Sequence, residues 1–448
     1  MTARTTLPPK KLSKALEHVQ SAQAKVAKLY PGDSGARQPI HTVYGGAHLF
    51  TADTARKLGE LSFRSLDSAP DPALFAEVVG IQQDLADKVY ERVAEKLKRE
   101  AVEDFRIDFE DGYGNRSDEE EDGHAITAAQ QVATGMAQSS LPPFLGIRIK
   151  PLTRELAARS LRTLDIFLTE MLDKSNGLLP ENFVITLPKI LSVSDVKTLV
   201  DVLDVFEDRS GLEAGVLQLE FMVETTQSIF DPRGRVILPR LHEAALGRLR
   251  GAHFGTYDYT ASCDITASQQ RMRHPACDFA KHVMKVVFAG TGVMLSDGAT
   301  NIMPVGPHKG KVLTDQQRDE NRAAVHVAWR LHADDVRHSL INGFYQGWDL
   351  HPAQLPTRYG AVYGFFLEGL AAASERLKNF VGKAAQATLA GDVFDDAATG
   401  QGLLNYFLRG IACGAVTEQE ALATGLTLEE IRAKSFVKIM DSRRAKPS

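Results

Sequence analysis

Residues 105–114 read FRIDFEDGYG. Phe105, Ile107 and Phe109 alternate with Arg106, Asp108 and Glu110, and a second acid, Asp111, stands directly before a glycine. Successive side chains of a β-strand point to opposite sides, so this alternation predicts a strand with one apolar and one charged face. Such a strand needs hydrophobic packing on one side and a polar enclosure on the other.

Similar runs recur along the chain. They are PIHTVYGGA from 39, LGIRIK from 145, FVITLPK from 183, LQLEFMVE from 217, GAHFGTYD from 251, GVMLSDG from 292 and GFYQGWDLHP from 343. From the second run to the seventh the starts lie roughly 35 to 40 residues apart, about what a strand, a loop and a returning helix consume. The connecting segments carry apolar residues at helical spacing, most clearly over 71–100 and 315–341. Eight such units predict an α/β protein built as a (β/α)8 barrel, the TIM barrel architecture, with helices outside and a lumen within.

That architecture supplies both environments that 105–114 requires. Arg106, Asp108 and Glu110 then face the lumen, as do Arg148 in the third run and Gln218, Glu220, Met222 and Glu224 in the fifth. Leu217, Leu219, Phe221 and Val223 face the helices, and Asp258 closes the sixth run. Charged residues therefore gather at the C-terminal ends of several strands, where such barrels place their chemistry. Three segments are expected: a helical extension over 1–35, the barrel over 36–365, and a helical appendage over 366–448 serving as a lid or oligomerisation segment. The acidic run SDEEEDGHA from 117 reads as a solvated loop.

Composition narrows the possible partners. Hydrophobic residues make up 44% of the 448, enough for a substantial core, and the net charge is only -5. That balance argues against a nucleic-acid backbone or a charged membrane surface as partner. Cys263, Cys277 and Cys413 are widely spaced and form no C-x-x-C pair, which opposes a disulfide framework or a thiolate zinc site. The N-terminus lacks the apolar core of a signal peptide, and no stretch has the roughly 18 apolar residues of a membrane span. A cytoplasmic protein is expected, without membrane or nucleic-acid partners.

Glu224 and Asp258 lead the candidate site. Carboxylates at the mouths of neighbouring strands repel unless a cation or proton lies between them, and magnesium accepts one or two carboxylates while completing its shell with water and substrate oxygens. The alternative is that both acids pair with Arg148 or Lys189 as internal salt bridges. Arg148 could hold a substrate carboxylate bidentately and stabilise negative charge developing on an oxo group, or serve as a structural partner of Glu110 or Asp111. Lys189 follows a proline, so strand parity does not give its direction; acidic neighbours favour its charged form over a Schiff-base role. His308 and His351 read as hydrogen-bonded loop histidines. No H-E-x-x-H, Walker A, G-x-S-x-G or G-x-G-x-x-G pattern occurs, and neither Gly112 nor Gly123 fits the sixth position of an EF-hand loop.

The ordered set DFEDG at 108, IRIKPLTRE at 147, LPK at 187, VETTQSI at 223, GTYDYTAS at 255 and GFYQGWDLHPAQL at 343 resembles the superfamily joining citrate lyase β-subunits, HpcH/HpaI-type aldolases and malate synthases. FDDAATGQGLLNYFLRGI from 394 is similar to the malate synthase segment that carries a catalytic aspartate. The resemblance implies Glu224 and Asp258 as Mg2+ ligands (Mn2+ being the other candidate) and Arg148 as the group that polarises the oxo acid. It further implies that Glu110 and Asp111 order the metal's surroundings, that Asp396 moves a proton, and that Asp297 and Lys189 lie at the substrate. The expected activity is that of a metal-dependent carbon–carbon lyase, an aldolase or citrate-lyase-like enzyme acting on a 2-oxo or hydroxy acid. One alternative is condensation of a coenzyme A thioester with glyoxylate, and another is a ligand-binding barrel without catalysis. A homo-oligomer is expected.

Overall fold

The structure is a computed structural model that describes residues 5–32, 36–310, 312–382, 388–390, 393–395, 397–433 and 435–445. Eight parallel strands close into a barrel: β1 His41–Gly46, β2 Asp104–Asp108, β3 Phe144–Arg148, β4 Phe183–Leu187, β5 Gln218–Val223, β6 Leu249–Phe254, β7 Met294–Ala299 and β8 Gln346–Asp349. Each overlaps one of the eight runs read from the sequence, β2, β3 and β6 beginning one or two residues earlier. The outward row Phe105, Ile107, Leu145, Ile147, Ile185, Leu219, Phe221 and Phe254 is buried against the helices. Each fully buried side chain of this size contributes about 1.5–3 kcal/mol.

The inward row is polar. Arg106 donates to Glu220 from Nε (3.2 Å) and Nη2 (2.6 Å), and pairs with Asp104 on its own strand. Thr186 donates to Glu220 (2.8 Å), and His253 Nε2 lies 2.8 Å from the same carboxylate. Gly146 makes this crossing possible, because a Cβ there would overlap the Val184 carbonyl and crowd the Arg106 chain. The result is a charged, fully partnered plug along the barrel axis, beneath the mouth.

Two expectations change. The acidic run from 117 is no loop: it opens the helix Asp118–Gln138, where Ser117 and Glu120 form a capping box and four acids occupy the first turn. Acids there complement the unsatisfied N–H groups and the helix dipole. The stretch 71–100 is two helices, Pro72–Val79 and Ala86–Glu100, broken where Gly80 adopts a left-handed backbone (φ 78°).

The N-terminal extension is the helix Pro9–Leu29, which buries no side chain. It returns to the barrel at Gly32, whose N–H donates to the Gly290 carbonyl (2.8 Å). After β8 the chain forms the long helix Leu355–Gly382, a short antiparallel strand pair Thr388–Ala390 and Val393–Asp395, and the helices Ala397–Ala412, Glu418–Ala421, Leu428–Arg432 and Phe436–Ala445. Glu420 ties this segment to the helix Ala86–Glu100 through Lys88 (2.5 Å) and Arg92 (2.8 Å). Among the described residues no helix is long and apolar enough to cross a membrane.

Candidate functional site at the barrel mouth

The register of β2 and β3 sets Asp108 directly beside Arg148. The Arg148 Nε and Nη2 donate to Asp108 Oδ1 (2.7 Å) and Oδ2 (2.6 Å), a bidentate pair that fixes the guanidinium. Its remaining Nη1 lies 3.1 Å from Glu110 and 3.7 Å from Asp111. Burial opposes the Arg148 charge, but Asp108 and Glu110 outweigh it and raise its pKa further above the usual arginine value. The expectation that Arg148 pairs with Glu110 or Asp111 is therefore met only in second place, because Asp108 is its main partner.

Lys189 follows β4 in a left-handed conformation (φ 47°). Its backbone N–H donates to Glu224 Oε1 (2.8 Å), while its ammonium pairs with Glu110 and reaches Asp111 (3.2 Å) and Asp258 (3.3 Å). One residue thus links the acids at the ends of β2, β5 and β6. Burial works against its charge, yet Glu224, Glu110 and Asp111 together raise its pKa above that of an ordinary lysine. A neutral, nucleophilic lysine is not the state this setting favours.

Glu224 sits just past β5, buried against Gly255, where any Cβ would overlap its carboxylate. Burial pushes its pKa up to about 8; Lys189 opposes the rise, and Asp258 and Glu110 add to it. Asp258 is not a strand-end residue as read from the sequence. β6 stops at Phe254 and Asp258 lies in the short helix Thr256–Ser262, which still turns it toward Lys189. Glu110 is raised by burial and by Asp111, with Arg148 opposing.

Five carboxylates, Asp108, Glu110, Asp111, Glu224 and Asp258, thus share two cations, Arg148 and Lys189. Among the described residues no three His, Cys, Asp or Glu side chains form a ready-made metal-ligand group. Glu224 and Asp258 fit the lesser requirement of magnesium, which takes one or two carboxylates and completes its octahedron with water and substrate oxygens. A divalent cation would favour the ionised form of Glu224, which burial, Asp258 and Glu110 oppose.

Asp297 is placed elsewhere, a correction to the sequence expectation. It is fully buried on the outer side of β7, 3.0 Å from Lys281 and accepting from Ser339 (2.6 Å), so it cannot touch a substrate at the mouth. Strand parity held the signal, because Asp297 shares the outward face with Leu295. Asp396 lies outside the described residues. His308 pairs with Glu320 and His351 accepts from the Ala353 N–H (3.1 Å), in keeping with loop roles. Sequence reading assigned no site role to Asp108, Tyr44, His253 or Trp348. All four carry the inward parity of their strands, Tyr44 being level with Arg106, but nothing local marked them among many inward residues. A surface cavity of about 770 Å3 lies between the helices Thr54–Ser65 and Ala86–Glu100, on the N-terminal side of β2 and β3, away from the charge cluster.

A closed parallel eight-stranded barrel with its charge cluster at the C-terminal mouth defines the class. The chain belongs to the DUF6986 family, a domain of unknown function, whose profile matches residues 19–439. The family match does not extend to the HpcH/HpaI-type aldolases. No curated protein matches. Among solved structures, a citrate lyase of Burkholderia xenovorans LB400 has 18% identity and a TM-score of 0.55, covering 87% of this chain and 97% of its own. CitE of Mycobacterium tuberculosis in complex with magnesium, acetoacetate and coenzyme A has 15% identity and a TM-score of 0.48, covering 85% and 99%. The Haloferax volcanii malate synthase magnesium/glyoxylate complex has 14% identity and a TM-score of 0.43, covering 91% and 98%. The first of these likenesses shows the shared barrel fold.

Proposed function

We propose that the chain is a Mg2+-dependent carbon–carbon lyase, or the reverse condensing enzyme, acting on a 2-oxo acid or the corresponding hydroxy acid. The observation that carries this reading is the excess of carboxylates over cations at the mouth, beside an arginine held rigid by Asp108. Glu224 and Asp258 would hold the ion, with Mn2+ as the other candidate. A bound divalent ion would supply Lewis acidity toward the 2-oxo oxygen. Arg148, fixed on two nitrogens, presents Nη1 to a substrate carboxylate. Glu110, Asp111 and Lys189 order the polar groups around it. Asp396 is the proposed proton carrier. The lid expected of its segment is not met by the described residues, because the helix Ala397–Ala412 meets the barrel at the N-terminal end of the strands, where Arg409 donates to Gln38 (3.0 Å).

Calorimetric titration with MgCl2 tests the reading. Wild-type protein should bind one ion per chain, and Glu224→Gln should weaken binding by about 10-fold or more and abolish turnover. Absence of divalent binding by the wild type would leave a ligand-binding barrel instead. A thiol-release assay across acyl thioesters and oxo acids separates condensation of a coenzyme A thioester from cleavage of a free hydroxy acid.

A further inference from the structure

One layer below the acids, Tyr44 of β1 and Trp348 of β8 lie with ring centroids 4.7 Å apart and planes inclined by 36°. The Arg148 guanidinium carbon stands 4.8 Å from the Tyr44 ring centroid. Both aromatic residues are half-buried, whereas His253 and Glu220 beneath them are buried. The Trp348 indole N–H donates to His253 Nδ1 (3.1 Å), so the imidazole proton sits on Nε2 and faces Glu220 (2.8 Å). The Tyr44 hydroxyl lies 3.3 Å from the same Nδ1. Trp348 is thereby locked from below by a chain that ends in the Arg106–Asp104 pair.

We propose that Tyr44 and Trp348 form the floor of the substrate cavity and restrict it to monocarboxylate 2-oxo acids with a short apolar substituent at C3. The assignment rests on the reading that a 2-oxo acid binds beside Arg148. The reason is electrostatic as well as steric. Aromatic faces carry partial negative charge and accept C–H groups, not carboxylates. Beneath them stand His253 and Glu220, and Arg106 already spends its donors on Glu220, Asp104 and Thr186. A second substrate carboxylate reaching this floor would be desolvated close to the Glu220 carboxylate, with the donors of Arg106 already committed. The indole and phenol rings, their centroids 4.7 Å apart, present a continuous aromatic surface that a branched chain would meet before a short one.

The test is calorimetry on full-length protein with saturating MgCl2, using pyruvate, 2-oxobutyrate, 4-methyl-2-oxovalerate and 2-oxoglutarate as probes. Wild type should bind pyruvate and 2-oxobutyrate at least tenfold more tightly than the branched or dianionic acids. Trp348→Leu should bring 4-methyl-2-oxovalerate to within about threefold of pyruvate while leaving Mg2+ affinity unchanged, the mutation opening one wall of the pocket. Equal wild-type affinity for pyruvate and 2-oxoglutarate would overturn the proposal without any variant, as would an unchanged order in Trp348→Leu. Should that variant not fold, Trp348→Phe, which replaces the two-ring indole by a single ring, must still narrow the gap between pyruvate and 4-methyl-2-oxovalerate. If wild type binds Mg2+ but no oxo acid, the proposed function falls and the floor with it; if it binds oxo acids without discrimination, the floor alone falls.

Discussion

Asp108 illustrates how much a single carboxylate decides. It holds two nitrogens of Arg148 and also accepts the backbone N–H groups of Glu110 (3.0 Å) and Gly112 (2.7 Å), so it shapes both the arginine and the loop that bears the acids. Asp108→Asn should destabilise the protein by about 3–5 kcal/mol, the cost of leaving one partner of a buried ion pair unmatched. A urea denaturation midpoint checks this, and pyruvate binding in the folded fraction should weaken as well. Residue by residue, the sequence was informative where parity alone sufficed: Arg148, Glu110 and Glu224 lie where alternation puts them. On partners it was only partly informative: Lys189 does meet Asp258 and Arg148 does meet Glu110, as the salt-bridge alternative has it, but the chief partner of Arg148 is not among those named. That Arg148 belongs chiefly to Asp108, or that Asp258 hangs from a helix, depends on register and loop length, which no local pattern encodes.

At the level of elements, the eight strands were legible because each repeats one simple pattern under one constraint, apolar outside and polar within. The helices were harder. The acidic stretch from 117 looked like a solvated loop because its charge dominated, although Ser117 and Glu120 spell a capping box. Ser117→Ala should cost about 1 kcal/mol in chemical denaturation, a value typical of a lost N-cap. A smaller change would mean that the four first-turn acids, not the cap, hold the helix start. The break between Val79 and Ala86 was likewise hidden, since the apolar spacing continues across Gly80 while the backbone turns left-handed.

At the scale of the whole molecule, the C-terminal segment buries Leu404, Phe407, Val416 and Phe436 in the common core and is tied to the barrel wall by ion pairs between residues far apart in sequence. Burial opposes ionisation of Glu420, but hydrogen bonds from Arg92 and Lys88 hold its pKa at about 2 against an ordinary 4.5. A depressed carboxylate stabilises fully above its unfolded value and loses that contribution as pH falls through the folded one. The helices between Ala397 and Arg432 should therefore loosen as pH falls from about 4.5 toward 2. Hydrogen exchange resolved by segment reads this directly, and Glu420→Gln should give the same loosening at pH 7. Such contacts were not legible in the sequence, because Lys88 and Glu420 lie 332 positions apart and neither sits in a distinctive motif.

The plug along the barrel axis has a consequence for how this protein can change over generations. Arg106→Met alone would strand Asp104 and Glu220 and should lower stability by about 3–5 kcal/mol, whereas replacing all three with well-packed apolar residues should cost far less than the sum of the single changes. Thermal or urea melts of the single and combined variants measure that non-additivity. Each of the three is thus constrained by the other two, so a tolerated substitution at one should require matching changes at its neighbours.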